Sequence, residues 1–211
     1  DEKDLGVCLV DIGGGTSDIV VFMGGQIVAT KVIPVGGNHV TNDIAYALRT
    51  PEKEAEKIKI KHACTISKMI NKEELIEVPS VGNRSPRQIE LERLASVVQA
   101  RYEELFSVIN DEIGKMNIEK LRAGIVLTGG TSQLNGAKEL AEEILETEVR
   151  VGFPKGMNGT FENINRPIHA TGVGLLLFAL DKYKNNPDDL IKQKALESPW
   201  QRIKFWLKSN L

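Results

Sequence analysis

Residues 11–19 read DIGGGTSDI, three consecutive glycines between an aspartate and Thr-Ser-Asp, with β-branched runs on both sides. Glycine loses more conformational freedom on folding than any other residue, and a tight hairpin needs one or two of them, not three. Something other than chain reversal keeps side chains out of this loop. With no Cβ atoms at Gly13, Gly14 and Gly15, main-chain N–H groups can approach an anion closely, and Thr16 adds a hydroxyl donor. Asp11, at the end of the preceding strand, only accepts hydrogen bonds. It repels a phosphate unless a cation lies between them, which is how a carboxylate positions Mg2+.

A second glycine-rich turn lies far downstream. In LTGGTSQLNG, residues 127–136, Gly129 and Gly130 fall between a buried strand at 125–127 and a helix expected over 134–145. Unpaired amides and the dipole at a helix N-terminus favour a negative or polar ligand. Neither turn ends in GK[ST], and neither fits G-x-G-x-x-G. Taken singly, GGGT also serves as a tight turn and GG before a helix as a packing device. Together they point to a nucleotide.

Around these turns the chain reads as an α/β protein. Strands are expected at 6–10, 18–22 and 26–34, the last two joined through Gly24-Gly25 as a meander. Gly36-Gly37 precede a helix capped by Asn38 or Thr41, and a second helix follows Pro51. Residues 74–81 alternate as a strand, 83–86 turn, and a long amphipathic helix then runs to about residue 113. Its apolar positions are Leu91, Leu94, Val97 or Val98, Tyr102, Leu105, and Val108 or Ile109. A short strand at 149–151, an irregular stretch and an apolar helix over 169–180 follow, then a polar run expected as a solvated linker.

Composition sets outer limits. The 211 residues are 41% apolar and 27% charged with net charge −2, so neither a basic field for nucleic acid nor an acidic excess is present. No apolar run reaches the ~18 residues of a membrane span. Cys8 and Cys64 make no disulfide framework, which favours a reducing compartment. His39, His62 and His169 lie far apart, and no Cys/His pair has zinc spacing. The chain starts at Asp1 without a methionine and is expected to be a piece of a longer one.

DIGGGTSDI resembles the second phosphate motif of the actin, sugar-kinase and Hsp70 superfamily, and VLTGGTSQLNG resembles its adenosine motif. Between them, AEKIK is similar to the helix whose acidic and basic residues, here Glu56 and Lys59, meet the ribose and adenine edge. The apolar helix with Gly172 and Gly174 resembles the segment that returns the chain to the other half of the fold. The resemblance implies an α/β fold, the second lobe of an actin-like (ribonuclease H-like) protein: a mixed sheet flanked by helices, with an inserted α+β subdomain. It implies ATP and Mg2+ as cofactors. Asp11 (also the metal residue), Gly13, Gly14, Gly15, Thr16, Glu56, Lys59, Gly129, Gly130 and Thr131 would bind the nucleotide, the three glycines leaving room for its β- and γ-phosphates. No catalytic base is assigned. The other lobe and its phosphate loop are missing, so the 169–180 helix is expected to expose an apolar face.

The last stretch, SPWQRIKFWLKSNL, carries its own signal. On a helical wheel Trp200, Ile203, Trp206, Leu207 and Leu211 fall within roughly 140° at about 100° per residue. Arg202, Lys204 and Lys208 flank or oppose them, and only Phe205 leaves the stripe. Basic residues beside an apolar face with two tryptophans describe a helix lying in one leaflet of an anionic membrane. The same pattern also suits a helix docked on the protein's own core or on a partner.

Taken together, the motifs, EVPSVGNRSPR and this tail resemble the FtsA family of bacterial actin-like division proteins along the whole chain. The resemblance implies subdomain 2A at 1–37 and 122–167, and subdomain 2B at 38–121. A helix at 168–181 returns to the first lobe, followed by a linker at 182–197 and a membrane-targeting helix at 198–211. The implied function is anchoring the FtsZ ring to the cytoplasmic face of the inner membrane at the division site, as a peripheral scaffold with at most weak ATPase activity. Implied partners are the FtsZ C-terminal peptide (at Arg84, Arg87 and Arg101), further copies in actin-like protofilaments, the anionic membrane and other division proteins. The arginines also read as an ordinary solvated helix face. Other superfamily readings are a sugar-kinase-like phosphotransferase and a scaffold like MreB or PilM. No substrate pocket for a kinase is legible, and no β-sandwich follows as in Hsp70.

Overall fold

The β-branched runs flanking the first glycine loop form an antiparallel meander in the computed structural model, which describes residues 1–82, 84–118, 121–156 and 162–185. A short helix, α1 (Glu2–Leu5), leads into β1 (Val7–Ile12), β2 (Ser17–Met23) and β3 (Gln26–Ile33). The amides of Gly24 and Gly25, at the β2–β3 turn, donate to the Asp4 and Lys3 carbonyls at 3.3 and 3.1 Å, tying α1 to the hairpin. Two later strands, β6 (Ile125–Thr128) and β7 (Val149–Val151), complete a sheet of order β3-β2-β1-β6-β7, with β6 parallel to β1 and β7 parallel to β6. Register decides where the site lies. Asp11 stands level with Thr128, so the glycine turns after β1 and β6 leave the same end of the sheet, where open α/β sheets bind ligands.

Between β3 and β6 the chain builds α2 (Gly37–Leu48), α3 (Glu52–His62), a hairpin of β4 (Leu75–Val78) and β5 (Arg87–Glu90), and the long α4 (Leu91–Lys115). α4 packs against both α2 and α5 (Ala137–Leu145). Its apolar stripe buries Leu94, Val98, Tyr102, Leu105, Phe106 and Ile109. Tyr102 and Phe106 meet edge to face with centroids 5.8 Å apart. Cys8 and Cys64 are buried free thiols, and burial pushes the Cys8 thiol up to about 12.

Three boundaries depart from the sequence reading. Residues 87–90, expected in the long helix, form β5 instead: they pair with β4, and the Leu91 amide donates to Glu74 O at 2.8 Å. Pairing across the hairpin overrides the helical propensity of Gln88 and Glu90. After Gly129 the chain makes a 3-10 turn at Gly130–Gln133, and α5 starts only at Ala137. The intervening backbone is used elsewhere, since the Thr65 amide donates to Asn135 O at 2.9 Å and Gly136 adopts a left-handed φ of +80°. The final described helix, α6 (Ala170–Asn185), runs past residue 181 into the stretch expected as linker, with Asn185 bonded to Asp181 one turn back. It buries Val173 and exposes Leu175, Leu176 and Phe178.

Candidate functional site

A cleft of about 860 Å³ opens at the sheet end where the two glycine turns emerge. Asp11, Gly13, Gly14, Glu56, Lys59, Gly129, Gly130 and Thr131 all line it. Gly15 and Thr16 occupy the exposed tip of the β1–β2 loop, outside that lining, and the Thr16 hydroxyl bonds to Asp18 at 3.2 Å. Residues 198–211, including Trp200, Arg202, Ile203, Lys204, Trp206, Leu207 and Lys208, lie outside the described residues.

The first glycine loop is braced from two sides. The Gly37 and Asn38 amides, opening α2, donate to the Gly13 and Gly14 carbonyls at 2.9 and 2.8 Å, and the Thr131 hydroxyl donates to Gly13 O at 3.0 Å. A helix N-terminus has free amides to give, and here they hold the loop. A Cβ at Gly36 would sit 2.7 Å from the Gly13 and Gly14 carbonyl oxygens, and one at Gly37 would collide with Thr131. Gly36 and Gly37 thus form a third bare turn that the sequence reading used only as a helix boundary. A GG pair directly before a capped helix was the available signal.

The glycines at 13–15 have a different cause. None adopts a left-handed φ, and a Cβ on Gly15 would meet nothing within 4 Å. Neither backbone strain nor internal packing therefore demands glycine at 15. The Gly14 and Gly15 amides also find no acceptor among the described residues. Such uncommitted donors suit an anion. Gly129, by contrast, is required by the fold: its φ is +86°, and a Cβ would run into Asp11 and the Ile12 carbonyl.

Behind these loops, Lys59 is only 6% exposed. Its ammonium donates to Gly37 O at 2.9 Å, to Thr41 Oγ1 at 2.8 Å and to Glu56 at 2.7 Å. The Thr41 hydroxyl also contacts the Glu56 carboxylate. Partial burial pushes Glu56 up, but the hydrogen bonds from Lys59 and Thr41 outweigh it and hold the carboxyl below its ordinary value. In this structure the three Lys59 donors all face protein acceptors, so it joins α3 to the start of α2. Thr171 is a lining residue that the sequence reading did not single out, and its hydroxyl donates to Asp11 Oδ2 at 2.7 Å. Gln133 and Arg166 line the cleft as well.

The arginines of the other expected site lie around α2 and α4. Arg84 is exposed, and Arg87 donates to the Leu48 carbonyl at the end of α2. Arg101 grips Asp43 through two hydrogen bonds of 2.5 and 3.0 Å and also pairs with Glu104. Arg93 donates to Ala47 O at 3.0 Å, beside Tyr46, which is 89% exposed.

Residues 8–174 match the family model described as Cell division protein FtsA. The chain is 48% identical over its whole length to the FtsA of Pseudomonas aeruginosa and 43% identical to that of Escherichia coli K12, covering 52% of each. The chain belongs to the FtsA family. It spans about half the length of these relatives. Among solved structures, MreB5 of Spiroplasma citri bound to ADP superposes with a TM-score of 0.68 at 20% identity, over 88% of this chain and 57% of that one. A MamK double helical filament gives 0.53 at 18% identity, over 79% of this chain and 54% of that one. These likenesses establish an actin-like fold, and FtsA membership makes this an actin-like cell-division protein. Among the described residues, no helix is long and apolar enough to cross a membrane, and no group of three or more His, Cys, Asp or Glu side chains is placed to hold a metal ion. The carboxylates in the cleft lining are Asp11, Glu56 and Glu74.

Proposed function

We propose that this FtsA-family chain forms one wall of an ATP–magnesium site in a scaffold that anchors the FtsZ ring to the membrane. The observation that carries the nucleotide reading is the bare first loop. Gly15 has room for a side chain and no left-handed φ, the Gly14 and Gly15 amides are uncommitted, and Gly14 lines a cleft of about 860 Å³. That size suits a nucleotide, since ligand pockets typically run about 300–1,000 Å³. Glycine at these positions fits a ligand lying against the main chain. When bound, Mg2+ would offset phosphate charge beside Asp11. The chain's own part is to present the Gly14 and Gly15 amides, hold Thr131 against the loop and keep Asp11 at the phosphate end. Glu56 and Lys59 would then face the ribose and adenine side.

In this reading the nucleotide closes the cleft against a second lobe and biases contacts between copies, with at most slow hydrolysis. Residues 1–37 and 122–167 serve as subdomain 2A and 38–121 as 2B. The FtsZ C-terminal peptide docks on 2B near Arg84, Arg87 and Arg101, a setting in which arginine suits carboxylate pairing. Residues 198–211 carry the membrane foot, placing the protein peripherally on the cytoplasmic face of the inner membrane.

The test is calorimetric titration of the full-length polypeptide with ATP and Mg2+. Gly14 lines the cleft, and a Cβ placed on it would have the Asn38 Oδ1 as nearest neighbour at 3.2 Å. In Gly14→Val affinity should fall at least about a hundredfold, as a β-branched side chain displaces the ligand, while the ligand-free melting temperature holds. Undiminished affinity would reject the reading.

A further inference from the structure

We infer that Thr171 is a positioning residue: its hydroxyl, on the first turn of α6, fixes the Asp11 carboxylate toward the phosphate end of the cleft and so ties α6 to occupancy by a magnesium–nucleotide ligand. This rests on the ATP–magnesium reading above and adds to it a residue and a connection.

Asp11 is the penultimate residue of β1, opposite Asp18 on one neighbouring strand and Thr128 on the other. One carboxylate oxygen lies against Gly129, where a Cβ would strike Oδ1. The other, Oδ2, accepts the Thr171 hydroxyl at 2.7 Å. The carboxylate is thereby held from two directions. A hydrogen bond to an ionised acceptor is stronger than one between neutral groups, and a β-branched side chain on a helix has few rotamers in which to place its hydroxyl. Oδ2 keeps a lone pair beyond the one Thr171 uses, and Oδ1 keeps its own, leaving acceptor capacity for metal-bound water.

Thr171 is itself exposed, so no burial penalty compels its hydroxyl to find a protein partner. The contact joins residues 160 positions apart and links the sheet to the helix whose Leu175, Leu176 and Phe178 stand exposed. Whatever moves Asp11 on ligand entry acts on α6 through this bond.

The experiment measures ATP affinity of the full-length polypeptide with Mg2+ and with EDTA. Thr171→Val should shrink the magnesium-dependent gain in affinity about tenfold, the scale of one charge-assisted hydrogen bond at a partly exposed site. Affinity in EDTA and the ligand-free melting temperature should not change. Thr171→Ser should restore the gain, and in an Asp11→Asn background Thr171→Val should add nothing. A Thr171→Val protein with the full magnesium gain, or one equally impaired in EDTA, overturns this assignment while leaving the nucleotide reading standing. Wild-type protein that binds no ATP with Mg2+ overturns both.

Discussion

The Tyr102 hydroxyl donates a 2.7 Å hydrogen bond to the main-chain carbonyl of Thr131, reaching from the middle of α4 to the turn after β6. Tyr102 is fully buried, and burial pushes its phenol well above the ordinary value of 10.0. Thr131 in turn donates to Gly13 O, so one core side chain supports both glycine turns.

Tyr102→Phe keeps the ring and removes only that donor. The Thr131 carbonyl then keeps only the long 3.5 Å bond from the Leu134 amide, at a cost of about 0.5–1.5 kcal/mol. Denaturant unfolding should show the loss with an unchanged m-value, and ATP affinity should fall several-fold as the 129–131 turn loosens. A stability equal to wild type would show that the turn is held without α4.

Glu56 gives a pH signature. Its folded carboxyl lies below the ordinary value of 4.5, because bonds from Lys59 and Thr41 overcome the effect of burial. A depressed carboxyl stabilises the fold above its unfolded pKa, and that contribution is lost as pH falls through the folded value. The stability gap between wild type and Glu56→Gln should therefore be constant near neutrality and close as the solution is acidified below about pH 4.5. A gap independent of pH would assign the effect to shape rather than charge. Glu56 is 43% exposed, so solvent screening keeps the gap small.

Much of this was legible in the chain, and what escaped has a common cause. The meander, the paired glycine turns and the buried stripe of α4 are local patterns, written as alternation, composition or three-and-four spacing. The strand β5 escaped because its reason is a partner strand about ten residues upstream, whereas Gln88, Ile89 and Glu90 taken alone suit a helix. The contacts of Gly37 with Gly13, Thr131 with Gly13 and Thr171 with Asp11 join distant segments, and no local pattern announces them. Lys59 lines the cleft. Its burial and three protein acceptors follow from the close approach of α3 to the first turn of α2, which periodicity does not predict.

The proposed FtsZ-tail site makes a claim on three arginines with different surroundings. Arg87 and Arg93 donate to carbonyls at the end of α2, where cations are favoured, next to the exposed ring of Tyr46. Arg84→Glu with Arg87→Glu should lower affinity for a synthetic FtsZ C-terminal peptide at least about tenfold, most visibly at low salt. The circular dichroism spectrum should not change. Arg101→Glu should instead weaken the fold as well, because it sets a carboxylate against Asp43 and Glu104. Unaltered peptide binding by the double reversal would move the docking site elsewhere.

The tail offers a prediction from sequence alone. On a helical wheel Trp200, Ile203, Trp206 and Leu207 would fall on one face, and Arg202, Lys204 and Lys208 supply three cations, each adding about 1 kcal/mol near an anionic leaflet. Full-length protein should co-sediment with vesicles containing phosphatidylglycerol and lose that association when 198–211 are deleted. Trp206→Glu places a charge in the apolar face and should act like the deletion, whereas Phe205→Ala, off the stripe, should be nearly silent. Added salt should weaken binding without abolishing it, since apolar burial persists when charges are screened. If Trp206→Glu instead lowers the melting temperature of vesicle-free protein, the helix docks on the protein's own surface and the membrane reading fails.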